Sequence, residues 1–187
     1  MKKSALIIIG FFVLMMGCSS SSSDTGTGSV TFTEDNFKSF TPTDLEGITL
    51  EWRTTTNTLL EVRVSAETTG WVGVGFEPSG SQMSGANIIL GYVDGSDVIL
   101  EDHYGSSQTA HTEDTQSNIT LISGTEENGV TTLWFTTPYI SSDTAHDQPI
   151  TSGNTVTVLL AYGSNSSDDT TTTHGSGRRI RTTINDF

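Results

Sequence analysis

A single cysteine, Cys18, stands in the 187 residues, which excludes an intrachain disulfide, a multi-thiolate metal site and the C-x-x-C-H attachment of a c-type haem. Basic residues are scarce: eight lysines and arginines against 22 aspartates and glutamates leave a formal net charge of −14. Phosphate recognition needs clustered Lys and Arg, so no nucleic acid is expected as a partner. The balance suits instead a partner with a positive face. Beyond the N-terminal residues no twelve-residue window carries a 3.6-residue apolar period, so no helical core is expected. There is no P-loop, and "GWVGVG" (70–75) lies within strand-like sequence with no helix after it, unlike a dinucleotide fingerprint. No G-x-S-x-G elbow appears, and no His pair has the tight spacing of a zinc or copper site. A copper-dependent or hydrolytic enzyme built on the histidines and carboxylates therefore ranks last among the readings.

The long apolar run is N-terminal. Lys2 and Lys3 precede "ALIIIGFFVLMMG" (5–17), too short for an ordinary membrane span and shaped like an export signal. Gly17-Cys18 followed by "SSSSSDTGTGS" resembles the lipobox of bacterial lipoproteins, although Leu14 sits one place further from the cysteine than the usual pattern has it. That resemblance implies a signal peptide over 1–17, lipid modification of Cys18 and a flexible tether over 18–28. It also implies a lipid anchor at the bacterial cell envelope; Ser19, in place of an aspartate, points to the outer membrane. An acylated Cys18 would leave no thiol nucleophile. An ordinary secretory signal with a chance cysteine is the alternative.

From Ser29 onward, short segments rich in Val, Ile, Thr and aromatics alternate with Gly, Asn, Asp and Ser. Ten strands are expected, among them "GITLEWRT", "LLEVRVSAE", "WVGVGFE", "NIILGYVD", "DVILEDHY" and "TVTVLLAYG". Leu60, Val62, Val64 and Ala66 alternate with Glu61, Arg63 and Ser65, as does a strand with one face in a core. "VDGSDV" reads as a tight hairpin. The spacing of turns predicts an all-β antiparallel sandwich, one domain over 29–187. Two polar segments, 104–118 and 163–177, stand outside the strand pattern as long loops of the kind that carry function.

Few residues offer chemistry. His103, His111 and His146 neighbour carboxylates in polar sequence and read as solvated imidazoles. His174 ends the polar run "DDTTTTH" ahead of a basic final strand. Met83 sits in the Gly/Ser-rich "GSQMSGA" just before a strongly apolar strand. It is an idle loop residue, a core plug or a soft metal ligand, and the residues alone leave all three open.

The order of motifs goes further. "GWVGVGFEPSGSQMSGANIILGYVDGSDVILEDHYG" resembles the DOMON domain: Gly-Trp and small residues, a loop with Met-x-Gly-Ala-Asn-like character, an apolar strand ending at Asp-Gly, and a strand closing on Asp-x-Tyr. "EDTQSNITLISGTEENGVTTLWFTTPYISSDTAHDQPI", then "LLAYG", an irregular loop, His174 and a last strand continue in the family's order. The resemblance covers roughly residues 30–187. It implies an immunoglobulin-like sandwich of about ten or eleven strands. One branch of the family binds b-type haem between loops at one end, through a methionine before the apolar strand and a histidine before the last strand; Met83 and His174 occupy those positions.

In that branch, exemplified by the cytochrome domain of cellobiose dehydrogenase, the resemblance implies single-electron transfer rather than catalysis. The expected pocket walls are Trp71, Val72, Phe76, Gly85 and Ile88. The expected propionate partners are Arg178, Arg179 and Arg181, with Tyr104 as a further donor. With no flavin domain in this sequence, the redox partner is expected to be a separate protein. The other branch lacks the ligand pair and is a haem-free carbohydrate-binding or interaction module; on that reading Trp52, Trp134 and Tyr139 would stack on sugar rings.

Overall fold

A computed structural model describes residues 28–56 and 58–187. The expected signal peptide, Cys18 and nearly all of the tether lie outside the described residues. Among the described residues there is no helix, and hence none long and apolar enough to cross a membrane.

Twelve strands form two six-stranded antiparallel sheets. The first sheet contains β1 (Gly28–Phe32), β2 (Lys38–Pro42), β3 (Ile48–Thr56), β4 (Leu59–Ala66), β9 (Thr120–Glu127) and β10 (Val130–Pro138), in the order β1-β2-β3-β4-β10-β9. The second contains β5 (Val72–Phe76), β6 (Asn87–Asp94), β7 (Asp97–Tyr104), β8 (Thr112–Glu113), β11 (Val156–Tyr162) and β12 (Arg179–Ile184), in the order β12-β11-β5-β6-β7-β8. All ten expected strands are present. The two additional ones are β2, short and ending in Pro42, and β8, too short to show any periodicity.

Alternation decides which side chains meet between the sheets. Leu50 and Trp52 of β3, Leu60, Val62 and Val64 of β4, and Leu133 and Phe135 of β10 point inward from the first sheet. Val72, Val74 and Phe76 of β5, Ile89 of β6 and Val156, Val158 and Leu160 of β11 meet them from the second. Trp52 stacks on Phe187 with ring centroids 4.5 Å apart and planes 4° from parallel, which fastens the C-terminus into the same core. The hairpin expected at "VDGSDV" joins β6 to β7: Asp94 pairs with Asp97, and Gly95 supplies a φ of +60° that a two-residue loop requires.

Candidate functional site

The residues between the inward-facing ones point the other way, and on the second sheet they form a separate apolar surface. Trp71, Ala86, Ile88 and Leu90 are buried together, with Met83, Tyr92, Leu159 and Ala161 packed against them. Register places Leu159, Gly75, Ile88 and His103 in one row across four strands, and Ala161, Gly73 and Leu90 in the next. A Cβ on Gly73 would come to 3.0 Å from Leu90 Cβ, and one on Gly75 to 3.0 Å from Leu159 Cδ1. These two glycines keep the middle of the floor bare. Above it lies a cleft of about 880 Å³, walled by residues 108–111, residues 170–176 and the loop carrying Met83. Both long polar loops expected to carry function thus face one another across the cleft. It lies on the outward face of the second sheet, not at an end of the sandwich as the family resemblance had implied.

Met83 is half-buried and lines the cleft. Its loop is tied down at several backbone points. Gly80 N–H donates to Ser84 O (2.9 Å), Ala86 N–H to Met83 O (3.1 Å) and Gly85 N–H to Gly105 O (2.7 Å). A Cβ on Gly105 would sit 1.6 Å from Met83 O, so only glycine permits this approach. Arg181 Nη1 donates to the carbonyls of Gly80 (2.9 Å) and Gln82 (2.7 Å), joining the Met83 loop to β12.

His174 lines the same cleft from the loop between β11 and β12. The Asp169 carboxylate organises this loop by accepting from the hydroxyls and N–H groups of Thr172 and Thr171, bonds that hold its pKa down at about 2. Trp71 Nε1 donates to Thr172 O (3.0 Å), and the Trp71 ring meets His174 edge-on with centroids 6.4 Å apart. His174 Nδ1 lies 2.6 Å from Gly175 O. A carbonyl only accepts, so Nδ1 carries the proton and Nε2 keeps its lone pair available to a ligand.

Two further histidines enter the cleft, contrary to their reading as solvated imidazoles. His103 is 6% exposed, and its Nε2 is 2.9 Å from Glu101 Oε2. His103 Nδ1 is 2.9 Å from His111 Nδ1. With Nε2–H donating to the carboxylate, His103 Nδ1 accepts from His111 Nδ1–H. Burial, then the charges of His103 and His174, lower the pKa of His111. The signal that would have found His103 is strand parity, since register pairs it with Ile88 on the cleft face.

The same parity corrects other expectations. Of the predicted walls, Trp71 and Ile88 line the cleft, but Val72 and Phe76 are fully buried in the core between the sheets. Gly85, in the Met83 loop itself, does not line the cleft; its φ of +69° shapes the turn. Arg179 and Arg181 line the cleft and Arg178 does not. Tyr104 faces away with Asp102, stacked on His146 at 4.0 Å. The three aromatics suggested for sugar stacking are otherwise engaged. Trp52 is in the core, Tyr139 is 8% exposed and hydrogen-bonds Thr54, and Trp134 donates to Glu61 beneath Arg63.

The candidate donors are the Met83 thioether and the imidazoles of His174 and His111, both ring nitrogens of His103 being engaged, over an apolar floor in a volume within the roughly 300–1,000 Å³ of small-molecule sites. Such a set is soft to borderline, suited to iron or copper and not to calcium or magnesium. The bare strip at Gly73 and Gly75 gives a flat ligand close access to the sheet, so the residues fit a macrocycle with an iron centre.

The fold is shared with solved cytochrome domains. The cytochrome domain of Myriococcum thermophilum cellobiose dehydrogenase superposes with a TM-score of 0.61 at 14% identity, covering 86% of this chain and 89% of that one. The cytochrome b domain of pyranose dehydrogenase from Coprinopsis cinerea superposes with a TM-score of 0.56 at 14% identity, covering 82% and 80%. In sequence, the chain is 32% identical over 105 residues to the putative DBH-like monooxygenase protein 2 of Homo sapiens, which covers 56% of this chain and 21% of that protein. It is 29% identical over 105 residues to DBH-like monooxygenase protein 2 of Mus musculus, covering 56% and 17%. The match spans about a fifth of these relatives. The family model of the DOMON domain matches residues 44–163, well over half of the sequence, and the chain belongs to the DOMON family.

Proposed function

We propose that the cleft binds one non-covalent b-type haem with Met83 and His174 as axial ligands, and that the protein passes single electrons at a bacterial cell envelope. One observation carries this reading: a thioether and an imidazole from distant parts of the chain line a single apolar cleft with a bare floor. The fold shared with two cytochrome domains supports it. When bound, the haem supplies a reversible one-electron iron couple.

The residues of this chain set the conditions. His174 is held with Nδ1–H on Gly175 O, so its Nε2 lone pair is oriented for a metal. Met83 would add a neutral donor, which would favour ferrous over ferric iron and raise the potential. Ile88, Leu90 and Leu159 make the floor apolar, and Arg179 and Arg181, which also line the cleft, would supply cations to the carboxylates of a macrocycle. Met83 and His174 would hold the iron between them, which would suit a one-electron carrier better than a catalyst. The region matched in the monooxygenase-like relatives is about a fifth of their length, too little to bring a monooxygenase activity to this domain.

Anchoring through a lipid on Cys18 would hold the domain at the membrane surface, most simply at the outer membrane. Its redox partner is then a separate protein presenting a positive face to this acidic chain. Titration of the full chain with hemin tests the proposal. Saturation at one equivalent is expected, with a low-spin Soret band that shifts on dithionite reduction and loses its low-spin character in Met83→Ala. A featureless, non-saturating titration would remove the proposal.

A further inference from the structure

On the side of β7 opposite the cleft, four carboxylates are buried together. Asp102 is 2% exposed, Asp143 3%, and Asp114 and Asp147 5% each. They come from both sheets: Asp102 from β7, Asp114 from just after β8, and Asp143 and Asp147 from the segment after β10. Among the described residues no lysine or arginine forms an ion pair with any of them. Their cationic neighbour is His146, whose Nδ1 lies 3.0 Å from Asp143 Oδ2 and 3.4 Å from Asp114 Oδ2. One imidazole at the rim does not balance four buried carboxylates, and uncompensated buried charge is costly.

The hydrogen bonding is incomplete in a particular way. Asp102 Oδ2 accepts from Asn118 N–H (3.1 Å), Asp114 Oδ1 from Gln116 N–H (2.8 Å) and Asp147 Oδ2 from Asn118 Nδ2 (2.5 Å). The second oxygens, Asp102 Oδ1, Asp114 Oδ2 and Asp147 Oδ1, have no hydrogen-bond partner, and neither has Asn118 Oδ1. Every one of these orphaned atoms is an oxygen acceptor. Buried acceptors left unpaired normally have a missing donor or a missing cation. Candidate ligand atoms of Asp114, Asp143 and His146 all lie within 4.8 Å of one another. Burial, then the charges of Asp147, Asp114 and Asp143, push the pKa of Asp102 up to about 6, as expected where several anions share one enclosure.

We infer that this enclosure is a site for a hard divalent cation, calcium, held by the carboxylates of Asp114 and Asp143, with Asp102, Asp147 and Asn118 adding unpaired acceptor oxygens to its surroundings. Calcium accepts six to eight oxygen ligands from carboxylates, amide carbonyls and water in flexible geometry, and the orphaned atoms here are all of that kind. His146 is a counter-charge in the metal-free chain, not a ligand. It lies at the rim, stacked on Tyr104 with its side chain 33% exposed. The cation would fasten β7 to the segment after β10, stapling one sheet to the other beside the cleft. It is independent of haem.

The test is calorimetry and thermal melting of the chelator-stripped full chain with calcium chloride as the probe. Saturable binding at one equivalent in the sub-millimolar range of extracellular calcium modules, with a rise in Tm of a few degrees, is expected. Asp114→Asn/Asp143→Asn should melt no lower than the parent in EDTA, because it relieves like-charge repulsion, yet show no calcium-dependent rise. His146→Ala should keep the calcium response. Absence of any calcium-dependent heat or Tm shift in the parent, or a full response in the double variant, overturns the site. A response to zinc alone that His146→Ala abolishes overturns the assignment to calcium.

Discussion

Across the outward face of the first sheet, register places Arg53 opposite Glu61, and Glu51, Arg63 and Trp134 in the neighbouring row. The same two rows on the second sheet read Leu159, Gly75, Ile88, His103 and Ala161, Gly73, Leu90. On the first sheet the loop between β1 and β2 folds over the row and seats Phe37 under two guanidiniums, 4.4 Å from Arg53 and 3.9 Å from Arg63. Glu61 is thereby 5% exposed and fully engaged, by Arg53 at 3.0 Å through both nitrogens and by Trp134 Nε1 at 2.7 Å. That face is closed by charge pairs and cation–π contacts. On the second sheet the covering loops stand back as walls, and an apolar floor with two glycines remains accessible. One face is closed by packing; the other leaves an open apolar cleft of the size that small-molecule sites have.

Substitutions on the two faces should therefore separate binding from stability. The largest effect expected is from His174→Ala, which should abolish hemin binding while leaving the melting temperature of the hemin-free chain within a degree or two of the parent. In metal-free protein, Asp102→Asn comes next. Its carboxyl has a folded pKa of about 6 against an ordinary value of 3.8, so ionisation is disfavoured in the folded state. The stability linked to the neutral form is present below about pH 4 and is lost as pH rises through about 6, at most ~3 kcal/mol. The asparagine variant in EDTA should lack that decline in urea melts. Arg53→Ala leaves Glu61 buried with one partner fewer, and about 2 kcal/mol should be lost with hemin affinity unchanged. The smallest effect is expected of Arg181→Ala. It removes two bonds to the Met83 loop carbonyls, about 1 kcal/mol, and should weaken hemin binding without unfolding the sandwich. Loss of hemin binding in Arg53→Ala, or its retention in His174→Ala, would break the division between the faces.

Strands were legible where apolar residues recur with period two over five or more residues, as in β4 and β11. β2 and β8 were not: "KSFTP" carries a proline and β8 has two residues, so neither offers a period to read. Met83 and His174 were reached through a family pattern, and the structure brings both to one cleft. Which neighbours share that cleft depended on parity relative to a register the chain does not announce. Val72, Phe76 and Tyr104 lie one residue from cleft-facing Trp71, Gly75 and His103, and that single step sends them to the opposite side. His103 reads as solvated because polar sequence resembles surface, and nothing in the sequence marks the four aspartates as buried. Their burial comes from strands and loops that are distant in the chain and pack over them only in the folded domain.

The most direct measurement is a crystal structure of the chain grown with hemin. The macrocycle is expected in the cleft over Gly73 and Gly75, with Met83 Sδ and His174 Nε2 as the two axial ligands. Hemin seated elsewhere, or ligated by His103 or His111 in place of either residue, would contradict it.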